Sequence, residues 1–268
     1  MGFIEEIETM SREKRELAAR LELFDSNVWL GPPAGFPLAA EMSLNQLREA
    51  LGEHLIRGAL YSHWAGLQVS AQAGNQALLD TLESVDGLQA IWTGLPLFPP
   101  EQGPLPGFGR PHPSLVGVRL FPRSHNFPLA AWMLGELIEW LIRHHLPLFL
   151  WHVEFGWPAL RELAVAFPKL TIVVETQTQK ILYHNRPLFA LMRQCSNILV
   201  ETSNLAGADF VTYSVQHMGS ERLLFGTFLP VNDPWAAIGM VLDADISIEE
   251  KMRIAGGNLR RILEGIAR

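Results

Sequence analysis

Leu23–Pro32, LFDSNVWLGP, is the stretch on which the reading of this chain turns. Phe24, Val28 and Leu30 favour a strand, and Gly31, Pro32 and Pro33 end the run. It reads as a short strand that enters a barrel and leaves at a Gly-Pro-Pro turn. Upstream, residues 2–21 carry Phe3, Ile4, Ile7, Met10, Leu17 and Leu21 roughly on one stripe, with Glu, Arg and Lys elsewhere. That pattern predicts an amphipathic N-terminal helix. Downstream, Ser43 can cap a helix that runs to about residue 54.

Strand and helix patterns then alternate. Strands are expected at Arg57–His63, Gly87–Thr93, Ser114–Pro122, Leu146–Glu154, Leu170–Glu175, Asn197–Thr202 and Arg222–Thr227. Helices are expected at Gly74–Glu83, Pro128–His145, Trp157–Phe167, Arg186–Gln194, Asp209–Met218 and Asp233–Leu242, and from Ser247 to the end. Ser247-x-x-Glu250 is a capping box. Leu146–Glu154, LPLFLWHVE, is the most apolar strand, as one covered on both faces should be. Between Gly94 and Ser114 stand seven prolines and four glycines. No helix forms there, because proline lacks the N–H and clashes with the preceding turn. A long ordered loop is expected in its place.

Eight strands mostly alternating with helices specify a parallel α/β barrel, (β/α)8, more readily than an open sheet. One helix of the eight is replaced by the Pro/Gly-rich loop, and the N-terminal helix is an extension. The chain of 268 residues suits one such domain over its whole length, and 48% hydrophobic residues allow a large core. No Gly-x-Gly-x-x-Gly follows a strand and there is no P-loop, so a dinucleotide or nucleoside triphosphate fold has nothing to hold it.

A formal charge of −7 argues against a nucleic-acid partner. The single cysteine, Cys195, forms no intrachain disulfide and fits a reducing compartment. The N-terminus is too charged for a signal peptide, and no apolar run reaches the ~20 residues of a membrane span. A cytoplasmic protein without a membrane partner is expected, with a small-molecule ligand and a homodimer as the candidate assembly.

Several segments resemble the amidohydrolase-related barrels, the branch that includes aminocarboxymuconate-semialdehyde decarboxylase. Asp25-Ser26-Asn27-Val28-Trp29 is similar to their Asp-x-His-x-His first strand. GVRLFP (117–122) resembles their Gly-hydrophobic-Lys-Leu-x-Pro strand, and LPLFLWHVE their Leu-Pro-Val-x-x-His strand. NILVETSN (197–204) resembles Asn-Val-Tyr-Leu-Asp-Thr-Ser. GSERLLFGTFLPVNDP (219–234) and NLRRIL (258–263) keep the whole frame of the family's last strand and tail. The resemblance implies a hydrolase or decarboxylase of a small carboxylated or cyclic substrate, with a divalent metal in the barrel mouth.

The departures fall on the metal ligands. Asn27 and Trp29 stand where the two histidines of the first strand would stand. A carboxamide is a weak ligand, and an indole N–H has no lone pair to offer. Trp151 stands at the family's fifth-strand histidine, with His152 one residue on. Phe228 replaces the aspartate of the last strand. The sixth-strand histidine falls near Glu175 or Thr176, so only Glu175 is a plausible ligand. The family's zinc or other divalent metal is therefore expected to be lost, leaving no metal site. Asp25, Glu175, Glu201 and His152 or Glu154 would otherwise offer a carboxylate-rich set, better suited to Mg or Mn.

Arg119 takes the family's inward lysine position, and its charge needs a partner there. Glu175 and Glu201 are the candidates. Two roles stay open for Arg119: holding a substrate carboxylate, or standing as an internal ion pair in place of metal and ligands. The candidate catalytic residues are Arg119, Glu175, Glu201 and His152. Asp25, Asn27, Trp29, His63, Trp151, Glu154, Thr227 and Phe228 are candidates for contact with substrate. His125 and His184 follow strands and could line a pocket. Trp29, Trp151 and Phe228 could instead fill the old cavity, which would make this a non-catalytic binding or scaffold barrel.

Overall fold

The structure, a computed structural model, describes residues 3–33, 35–36, 38–81, 87–96, 111–176, 181–205 and 208–267, with the side chains of 3–7 and 181–185 set aside. Eight parallel strands stand in sequence order around one sheet: β1 Phe24–Leu30, β2 Gly58–His63, β3 Leu88–Thr93, β4 Leu115–Leu120, β5 Leu148–Trp151, β6 Ile172–Glu175, β7 Ile198–Glu201 and β8 Leu223–Leu224. Seven of the eight neighbouring pairs are parallel ladders, with register shifts in β1–β2 and β3–β4. The last pair, β8 with β1, is a looser seam. It is closed by three backbone bonds of 2.9 Å: Ser26 N–H to Phe225, Phe228 N–H to Asn27 and Trp29 N–H to Leu229. The fold is the α/β barrel that the alternating pattern predicts.

Helices follow in chain order: α1 Phe3–Arg20, α2 Leu44–Glu53, α3 Ala65–Gln68, α4 Ala71–Thr81, α5 Ala131–Arg143, α6 Trp157–Ala166, α7 Ile181–Gln194, α8 Ala208–Met218, α9 Pro234–Leu242, α10 Ile248–Met252 and α11 Asn258–Glu264. Ser43 closes a capping box with Gln46 at the start of α2, and Ser247 does so with Glu250 at α10. Asp233 caps α9, with Pro234 in the first turn, where a missing N–H costs nothing. The extension α1 buries Ala18 and lies against α9, with Lys14 on Asp243 at 2.7 Å and Arg15 over the Trp235 ring.

Several boundaries differ from the sequence reading. Short α3 was not expected. Helix α7 begins at Ile181 and runs through Pro187, so His184 lies in a helix rather than just after a strand. Strand β8 keeps only two residues as ladder. Strand β5 ends at Trp151, and His152 opens a turn. Residues 97–110 of the Pro/Gly-rich stretch lie outside the described residues, and its flanks at 94–96 and 111–114 are non-helical. Among the described residues no helix is long and apolar enough to cross a membrane.

Two features aim the site. In β1 the register shifts between Asp25, opposite Ala59, and Val28, opposite Tyr61. Ser26 and Asn27 together face Leu60, which is a β-bulge, a device that re-aims side chains. In β4, Gly117 clears the barrel interior: a Cβ there would lie 2.6 Å from the Phe149 ring. Phe149 thus fills the level below Arg119, its neighbour in register.

Candidate functional site

The carboxyl ends of the strands converge on a buried polar centre under an aromatic roof. Arg119 rises from β4 with its side chain fully buried. Its Nε donates to Glu175 Oε2 at 2.8 Å, and its Nη2 donates to Glu175 Oε1, making a two-pronged ion pair. Glu175 sits opposite Trp151 and Arg119 opposite Phe149, so the barrel's stagger places the carboxylate one level above the arginine's backbone. The Arg119 Cζ lies 4.4 Å from the centre of the Trp29 ring. That contact suits a planar cation, which stacks on aromatic faces.

Asn27 links this pair to a second carboxyl. Its Oδ1 accepts from the Trp29 indole N–H at 2.9 Å and from Arg119 Nη2 at 3.5 Å. Its Nδ2 donates to Glu201 Oε2 at 3.2 Å. Glu201 also accepts from the Ser203 backbone N–H and, at 2.9 Å, from the Ser203 hydroxyl. Gly226 makes room for it, since a Cβ there would meet Glu201 Oε1 at 2.3 Å. Asp25 lies beside the seam. Its Oδ1 accepts from the backbone N–H groups of Asn27 at 2.9 Å and Thr227 at 3.0 Å, and its Oδ2 from the Thr227 hydroxyl.

Three fully buried carboxyls therefore crowd together, and of them Glu175 alone holds the guanidinium, leaving Asp25 and Glu201 without a counter-ion. Burial penalises a charged carboxylate, and hydrogen bonding to these two does not offset it. Asp25 is raised to about 7. Glu201 is raised to about 8, with repulsion from Glu175 and Asp25 adding to the effect. Burial also pushes Glu175 upward, while Arg119 pulls it back.

The sign of the pH dependence follows. In the unfolded chain these groups lose their protons near 3.8 and 4.5; in the folded chain they keep them to about 7 and about 8. Their contribution to stability is complete at low pH and is lost as pH rises through that window. Glu201→Gln removes one of the two groups. The stability of wild type relative to this variant should fall by about 1.4 kcal/mol per pH unit between roughly pH 5 and 7. Urea unfolding of both proteins at several pH values measures it. A difference that stays constant with pH would mean Glu201 is ionised throughout.

Above the polar centre, Trp29, Trp64, Phe121, Trp151 and Phe228 form one cluster, each at most 5% exposed. Trp29 lies 4.5 Å from Trp64 and 5.1 Å from Trp151, and Trp151 meets Phe121 and Phe228 edge-on. Phe228 holds φ +60, a left-handed backbone rare for a large side chain, and its N–H is bonded across the seam. The indole N–H of Trp29 is satisfied by Asn27, whereas that of Trp151 has no hydrogen-bond partner.

The other expected site residues lie around this core. His152 is buried past the end of β5, and its backbone N–H donates to the Glu175 carbonyl at 3.1 Å. Glu154 turns away from the centre: its carboxylate accepts from the Ser124 N–H at 2.8 Å and hydroxyl at 2.7 Å, pinning the loop after β4. His63 is half-buried at the rim, where its Nδ1 accepts from the Ala65 N–H and its ring covers Gly31. His125 packs edge-on against Phe121. Thr227 serves Asp25 and the seam. Trp64, Phe121 and Ser203 complete the site without having been singled out for it. Phe121 and Ser203 stand two residues after Arg119 and Glu201, so the period of a strand could have found them.

The donor set does not fit a divalent cation. The amide oxygen of Asn27 is occupied, Trp29, Trp151 and Phe228 offer no lone pair, and both oxygens of Glu175 hold Arg119. Among the described residues no group of three or more His, Cys, Asp or Glu could hold a metal ion.

A family model described as Amidohydrolase matches residues 27–264. No curated protein matches the chain. Among solved structures, 5-carboxyvanillate decarboxylase from Sphingomonas paucimobilis is 14% identical with a TM-score of 0.70, covering 91% of this chain and 99% of that one. An amidohydrolase from Burkholderia multivorans with bound zinc is 14% identical, TM-score 0.67, covering 90% and 99%. A dihydroxybenzoic acid decarboxylase from Polaromonas, with bound manganese and the inhibitor 2-nitroresorcinol, is 12% identical, TM-score 0.68, covering 90% and 96%. At these identities the likeness is one of fold.

Proposed function

The chain belongs to the amidohydrolase family, and from that premise we propose that it hydrolyses or decarboxylates a small carboxylated or cyclic compound at the Arg119–Glu175–Glu201 centre. The observation that carries this reading is Arg119 Nη1. It is buried and has no hydrogen-bond partner, although the rest of the guanidinium is paired. An unpaired buried donor costs about 1–3 kcal/mol, and a carboxylate or carbonyl oxygen of a ligand would relieve it. Glu201, whose proton is held to about 8, sits one Asn27 side chain away. A carboxyl poised near working pH suits general acid–base catalysis. The decarboxylases among the fold relatives support the same substrate class.

A second reading rests on a different observation, the aromatic roof. Five rings at most 5% exposed close the space above the centre, which favours a barrel that holds a ligand without transforming it. A screen of lactones, amides and aromatic carboxylic acids separates the two. Product formation that falls about 10²–10⁴-fold in Glu201→Gln, the usual range for a lost acid or base, supports catalysis. Ligands that raise the melting temperature but yield no product support the binding barrel. A screen with neither result counts against both.

A further inference from the structure

Three side chains close around the guanidinium of Arg119, and each meets a different property of it. Glu175 presents two oxygens to its planar fork. Trp29 lays its ring against the cation at 4.4 Å. Asn27 turns its amide oxygen toward Nη2, and the Trp29 N–H holds that oxygen in place. Asn27 then passes its own N–H to Glu201, so the cation is tied through it to a second carboxyl. A carboxylate fork, an aromatic face and a single amide oxygen suit a guanidinium. A divalent ion would gain nothing from the indole and would need the carboxylate oxygens that Arg119 already occupies.

Asn27, Trp29 and Glu175 are also the positions at which the family resemblance places metal ligands. Two of the fold relatives carry zinc or manganese. We propose that the Arg119 guanidinium is the resident cation of this barrel, held in a cage built on the former ligand positions, and that it makes this chain a metal-independent member of its family. The inference goes beyond the proposed activity and holds whether or not the centre turns a substrate over, because none of its tests reads activity.

Zinc and manganese contents are measured first, on wild type purified from metal-supplemented cells and dialysed without chelator. Far less than one equivalent is expected, and the melting temperature should not move with added Mn²⁺, Zn²⁺ or EDTA. In Arg119→Ala the cage loses its cation. Its melting temperature should fall, and millimolar methylguanidinium should restore part of the loss while methylammonium does not. Wild type should ignore both. Arg119→Lys tests the cage if the alanine variant does not fold: it keeps the charge but loses the fork and the flat face, so it should melt below wild type and gain nothing from Mn²⁺ or Zn²⁺. About one equivalent of bound metal in wild type overturns the proposal. So does a metal-induced rise in its melting temperature, a folded Arg119→Ala indifferent to methylguanidinium, or an Arg119→Lys as stable as wild type.

Discussion

Glu175→Gln will destabilise the protein by about 3–5 kcal/mol, the range for removing one partner of a buried ion pair. Both side chains of the Arg119–Glu175 pair are wholly excluded from water. The glutamine keeps the shape and one acceptor but no charge, so Arg119 is left buried without its counter-ion. The cost comes from orphaning the guanidinium more than from losing two hydrogen bonds. A double variant, Arg119→Met with Glu175→Leu, should therefore recover most of the loss, because well-packed apolar pairs often match buried ionic ones. Urea unfolding of Arg119→Met, Glu175→Leu and the double measures the coupling. Additive effects would show that the two residues do not act as a pair.

Trp151→Ala should cost about 3–5 kcal/mol as well, the range for removing a large aromatic from a core. Trp151 is 5% exposed and lies within 6.0 Å, centroid to centroid, of Trp29, Trp64, Phe121 and Phe228. Such ring pairs are worth about 0.5–1.5 kcal/mol each beyond their buried area. Its indole N–H is unpartnered, so the truncation removes no hydrogen bond and reads packing alone. Trp151→His should also lose stability, since a smaller polar ring enters an aromatic slot, and it should not create a metal site by itself. If Trp151→Ala stays within roughly 1 kcal/mol of wild type, well below the cavity range, the ring is a pocket wall rather than core.

The barrel and most of its centre were legible in the sequence for reasons that individual residues show. Glu175 and Glu201 each end an apolar strand run, which places them at the mouth whatever the register. The choice between them as partner of Arg119 was not legible. It depends on the stagger between β4, β5 and β6, a relation among segments that no local pattern carries. The bulge at Ser26–Asn27 is hidden for a similar reason: nothing in LFDSNVWLGP marks it until Leu60 is set opposite two residues. The strand expected over Leu146–Glu154 ends at Trp151, so Glu154 lies beyond it. Its binding of Ser124 depends on a loop 30 residues away. The upward shift of Glu201 follows first from burial and then from the nearby Glu175 and Asp25, and both appear only once β1, β6 and β7 are side by side.

The seam between β8 and β1 joins positions 202 apart in the chain at Asp25 and Thr227. Until residues 225–229 have been synthesised, β1 keeps an unpaired edge, the kind of surface that invites wrong pairing. Asp25 is then still open to water and ionised at neutral pH. Docking of the last strand both shields the edge and buries the carboxyl, which is raised to about 7 in the closed barrel. Closing the seam therefore raises the proton affinity of Asp25, and alkaline conditions work against the closed seam.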